Sequence, residues 1–83
     1  MKNLSYDTQR TIFALNTNKK VSVTRSGSIF DLEIKRDENS SDAKIILRSR
    51  KNPKMGVVKK TWSKEIAKTL NEIFENYAIY EIA

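Results

Sequence analysis

Apolar residues follow two different periods along this chain. From Val21 to Leu47 they alternate with polar ones, and from Ile66 to Tyr77 they recur in helical steps. Alternation marks a strand with one buried face, because successive side chains point to opposite sides. Val21 and Val23 form one such piece, and Phe30, Leu32 and Ile34 form the next, with Ser26-Gly27 between them. A two-residue loop at Ser26-Gly27 sets Arg25 opposite Ser28. Carried outward, this register sets Val23 opposite Phe30 and Val21 opposite Leu32. On the other face it sets Lys20 opposite Glu33. Apolar meets apolar and opposite charges meet, so the register is self-consistent.

A polar loop, Asp37–Asp42, precedes a third strand over Ala43–Arg50. Ile45 and Leu47 are expected inward, and Lys44, Arg48 and Arg50 outward. Asn52-Pro53 starts a turn, since proline fixes the φ that a turn's second position needs. Gly56 then releases the chain into a short fourth strand, Val57–Thr61.

Ser63 is a candidate N-cap for a helix whose apolar face is Ile66, Ala67, Leu70, Ile73, Phe74 and Tyr77. Trp62, just before the cap, is placed to staple the first turn, and Asn76 to end the helix. The two ends of the chain are ambiguous. In residues 1–17, Ser5 or Asp7 caps a helix with Ile12, Phe13 and Leu15 on its apolar face, although Thr11–Leu15 also fits a strand. Residues 78–83 either extend the last helix or return as an edge strand. The fold class expected is α+β. In it, an antiparallel sheet of three to four strands packs against one C-terminal amphipathic helix, with a short N-terminal helix added. The sheet's second face is left open, as antiparallel sheets permit.

With 83 residues, a single domain over 1–83 is expected. An apolar share of 39% and a charged share of 31% describe a chain that folds. No run approaches the ~18 apolar residues of a membrane span, and no signal segment opens the chain, so no membrane partner and a cytoplasmic location are expected. Cysteine and histidine are both absent. That removes thiolate chemistry, the usual neutral-pH acid–base group and the commonest metal ligands. No enzymatic activity, cofactor or metal is therefore expected.

Charge changes the picture more. The net charge is +6, from 16 basic and 10 acidic residues. Between Ala43 and Lys64 stand Lys44, Arg48, Arg50, Lys51, Lys54, Lys59, Lys60 and Lys64, with no acid among them. Elsewhere the acids outnumber the bases. A cluster of this kind is the electrostatic footprint of phosphate binding. Two other readings compete: a solvated hairpin whose cations guard a sheet edge, and a surface for an acidic protein. Lys64 in a helix's first turn would act with exposed amides on a bound phosphate.

Trp62 adjoins the cluster and is either a core anchor or a platform for base stacking. Phe30, Phe74 and Tyr77 fall on oily faces and are assigned to the core. Tyr6 and Tyr80 are unplaced. Ile29 and Ile46 point outward, toward a partner or beneath the first segment. Asp31, Glu33, Asp37, Glu38 and Asp42 gather at the far end of the hairpins, but they lack the spacing of a calcium loop. Gly27 and Gly56 are turn glycines rather than a phosphate cradle.

The order of helix, three strands and a helix entered through KKTWSKEIAK is similar to a double-stranded-RNA-binding domain, with the strand at Val57–Thr61 as a departure. Four strands followed by a helix also resembles single-stranded-DNA-binding coactivator domains. Neither likeness assigns a role to a particular residue. The expected function is that of a small basic nucleic-acid-binding domain, for DNA or RNA, contacting phosphate backbone with low sequence specificity. The alternative is a small inhibitor or adaptor of the mobile-element, phage-like kind, docking on a larger nucleic-acid-processing protein. A homodimer is left open.

Overall fold

The computed structural model describes residues 4–83. Among these, the elements are α1 (Tyr6–Asn16), β1 (Val21–Arg25), β2 (Ser28–Arg36), β3 (Asp42–Ser49), β4 (Gly56–Trp62), a 3-10 turn (Ser63–Glu65), α2 (Ile66–Ile73) and β5 (Ala78–Ile82). The sheet is antiparallel throughout, in the order β4-β3-β2-β1-β5. The α+β class stands, with a helix near each end of the chain, but the sheet has five strands rather than three or four.

The β1–β2 hairpin has the register expected, with Val21 opposite Leu32 and Arg25 opposite Ser28. Ser26 at φ 51° and Gly27 at φ 80° make the turn, as a right-twisted two-residue hairpin requires. Ala43, Ile45 and Leu47 of β3 meet Ala14, Ile66, Leu70 and Ile73 of the helices in one buried cluster with Val21, Val23 and Leu32. Ile45, Leu47 and Leu70 are wholly buried. Each such side chain contributes roughly 1.5–3 kcal/mol of transfer free energy. Phe30 and Tyr77 pack edge-to-face beside this cluster, with centroids 5.6 Å apart.

Helix α1 lies over β1 and β5, and α2 lies beside β4. The Ser5 hydroxyl caps α1 by accepting from the Thr8 amide at 3.1 Å, and the Ser5 amide donates to Asn71 Oδ1 of α2 at 3.0 Å. The face that α1 buries is only partly the one expected: Ile12 and Leu15 pack against the core, but Thr8, Thr11 and Ala14 are its most buried residues and Phe13 is 70% exposed.

At the other end, α2 stops at Ile73, and residues 74–76 form a turn closed by the Asn76 and Tyr77 amides on the Ile73 carbonyl. Phe74 and Tyr77 still reach the core from that turn. The helix does not begin on a Ser63 cap. The 3-10 turn intervenes, no side chain caps either segment, and the Ser63 amide donates instead to the Ser41 carbonyl at 2.7 Å. Residues 78–83 return as an edge strand on β1 over Ala78–Ile82. No helix among the described residues is long and apolar enough to cross a membrane.

Candidate nucleic-acid interface

Both helices cover one face of the sheet, so the other is open. On that outer face, the register aligns side chains in rows that run across the strands. Lys35 of β2 is paired with Lys44 of β3, and Lys44 with Lys60 of β4. Three lysines therefore stand side by side. The next row along the strands holds Glu33, Ile46 and Val58, and the row after it Glu81, Ser22, Asp31, Arg48 and Gly56. On the opposite flank of the lysines, Trp62 stands across from Asp42.

The eight cations of the basic segment do not form one patch. Lys44, Arg48 and Arg50 point outward as expected and are exposed. Arg50, however, is spent within the protein. Its Nε donates to Asp31 Oδ1 at 3.0 Å and its Nη2 to Ser22 Oγ at 2.6 Å, while the Ser22 hydroxyl donates to the same Asp31 oxygen at 3.1 Å. Glu81 of β5 lies 3.5 Å from the guanidinium, and the Tyr80 ring lies beneath it at 5.9 Å. The hydrogen bond that Arg50 donates to Asp31 raises the Arg50 pKa above its ordinary value; desolvation opposes this, and the charges of Asp31 and Glu81 add to the rise. Arg48 is 3.8 Å from Glu33, which also meets Lys35 at 3.9 Å. The carboxylate of Glu33 is thus matched with Arg48 and Lys35 rather than with Lys20.

Lys44 and Lys60 have no ion-pair partner among the described residues. Lys51 and Lys54 lie in the β3–β4 loop at the Arg50 end, about 20 Å from Trp62 by strand length. Lys59, opposite the buried Ile45, is on the helix side of the sheet. Lys64 sits in the 3-10 turn beyond Trp62. With the Ser63 amide already bonded and no α-helix starting there, the phosphate site imagined around Lys64 is not assembled.

Trp62 is 50% exposed and on the outer face, so it is neither core anchor nor staple. Strand alternation places it there, because Thr61 takes the inward position opposite Ala43. Tyr80 also faces outward, as the extra residue where Glu81 pairs with Ser22 and Ile79 with Val23. Tyr6 is exposed on α1 under Arg10. Ile29 and Ile46 are outward and half-buried, and α1 does not cover them, since it packs on the other face. The acids do not form a metal site: no group of three or more potential ligands gathers among the described residues.

Lys35 escaped the sequence reading. It lies outside the basic segment, and only pairing β2 with β3 through the Asp37–Ser41 turn brings it beside Lys44. Comparison with protein-family models, with curated proteins and with solved structures finds no match to this chain.

Proposed function

We propose that the protein binds nucleic acid through the phosphate backbone, with low sequence specificity, and that Lys44 and Lys60, flanked by Lys35, make the central contacts. One observation carries this reading. Like charges directly opposite on neighbouring strands destabilise a sheet, yet three lysines are set side by side, and two of them have no acid within ion-pair distance among the described residues. A polyanion laid along the row turns that repulsion into attraction and releases its counterions. Guarding the β4 edge would require cations on β4 alone, whereas Lys35 and Lys44 lie on interior strands.

Labelled oligonucleotides titrated at low salt test the proposal. About three neutralised phosphates give a log–log salt slope of about −2 on single strands and about −3 on duplex. Lys44→Glu combined with Lys60→Glu is expected to weaken binding by about 100-fold or more while leaving the circular dichroism spectrum unchanged. Wild-type affinity in that double variant would remove the basis for the proposal.

A second reading, docking on an acidic protein surface, draws on Val58, which is 55% exposed beside Ile46 in the row next to the lysines. In nuclease-treated lysate, this reading predicts a stoichiometric protein partner that the same double variant loses.

A further inference from the structure

We infer that the ligand of the lysine row is single-stranded, with its backbone running across β2, β3 and β4 and one unpaired base stacked on Trp62. The inference rests on the function proposed above and narrows its ligand.

The row covers two strand-to-strand steps of about 4.8 Å, so it extends about 10 Å. Its three lysines match about three successive phosphates of one strand. The second backbone of a duplex lies a groove away, about 6–12 Å. In the direction of the hairpin loop, the outer-face rows about 7 and 13 Å along the strands hold Glu33 and Asp31. The arginines there are engaged by these acids, Arg48 with Glu33 and Arg50 with Asp31, and Lys51 and Lys54 lie farther off in the β3–β4 loop. In the other direction the sheet ends one row beyond the lysines, at Asp42 and Trp62. Neither side offers a second row of free cations across the strands.

The flanks of the row suit unpaired bases. Trp62 lies one outer position beyond Lys60 and diagonal to Lys44, about 7–8 Å from each. Ile46 and Val58 provide apolar surface on the other flank. Paired bases in a duplex are stacked on each other and offer an indole only their edges. An unpaired base offers its face, and every base has one, which accords with low sequence specificity.

Trp62 is the only tryptophan in the chain, so its emission reports on this site directly. The full chain is titrated with dT and rU oligomers of about eight nucleotides and with a duplex of the same length, following both anisotropy and Trp62 fluorescence. The single strands are expected to quench Trp62 with the same midpoint that anisotropy gives. The duplex is expected to bind at least about tenfold more weakly, without quenching. Trp62→Leu should weaken single-strand binding by roughly 5- to 100-fold and leave the salt slope near −2. A stronger response to rU than to dT would assign the strand as RNA, and the reverse as DNA. Binding with unaltered Trp62 emission, or duplex binding as tight as single-strand binding, would overturn the inference and leave the lysine row as a backbone site. Absence of binding by all three ligands would overturn the parent function instead.

Discussion

The two ends of the outer sheet face are built from the same residue types and behave differently. At the hairpin-loop end, Arg50, just past β3, hydrogen-bonds Asp31, Ser22 and Glu81 on three strands, so its guanidinium is held within the protein. At the Trp62 end, Lys35, Lys44 and Lys60 stand together, and Glu33, in one adjoining row, is shared between Lys35 and Arg48. Arginine's planar fork holds two acceptors at once and stacks on a ring, which suits a permanent strut. Lysine's mobile ammonium is a point charge that can follow a ligand. One end stabilises the sheet, and the other is left with charge to offer.

The β3–β4 register is common to both ends, so breaking it is expected to have the largest effect. Gly56 begins β4 opposite Arg48, and a Cβ at this position would run into the Leu47 backbone carbonyl. Strand β4 has to shift to accommodate Gly56→Ala, which moves Lys60 away from Lys44. A loss of about 2–3 kcal/mol is expected, in the upper part of the range for overpacking, because backbone rather than a flexible side chain must yield. Urea denaturation measures it. Nucleic-acid binding should fall in the same variant under conditions where it remains folded. A variant with wild-type stability would show that β4 is looser on β3 than the register implies.

Arg50→Met separates the two ends. It removes the strut between β3 and β5 while keeping the aliphatic bulk. The melting temperature is expected to fall by a few degrees, less so in high salt because the pairs are partly exposed. Affinity for oligonucleotides should stay within about twofold of wild type, since the free cations lie elsewhere. The raised Arg50 pKa gives this contribution a definite sign with pH: it is present in full below the guanidinium's ordinary range and is lost only in strongly alkaline solution. A parallel loss of binding would mean that the two ends act as one site.

How legible this was depended on whether a pattern was local. The β1–β2 register followed from Ser26-Gly27 and the alternation around it, since turn and periodicity agree within a few residues. The buried trio Ile66, Leu70 and Ile73 followed from helical spacing. Nothing local specifies that α1 buries Thr8 and Thr11 rather than Phe13, because its burial is settled by elements distant in sequence, α2, β1 and β5. Edge strand β5 is equally hidden: Ala78–Ile82 becomes a strand only by pairing with β1, more than fifty positions earlier in the chain. At the site, charge along the sequence showed where cations are dense but not which are free. Arg50 is dense and spent, while Lys35 lies outside the dense segment and completes the row.

The smallest effect bears most directly on why the lysines stand together. If the row repels itself in the free protein, removing its middle member relieves two like-charge neighbours, and removing its end member relieves one. Lys44→Thr is therefore expected to stabilise the unliganded protein by about 0.5 kcal/mol and Lys60→Thr by about half as much, at low ionic strength. Threonine also suits a strand, so Lys44→Ser serves as a control for propensity. Both gains should shrink by 0.15 M salt, where the Debye length is about 8 Å. In the presence of a bound oligonucleotide the order should invert, with wild type the most stable of the set, because the ligand adds its binding free energy to the folded state. A stabilised variant that also bound as tightly as wild type would show that the row is a tolerated flaw of a solvated sheet face rather than the place where a strand is held.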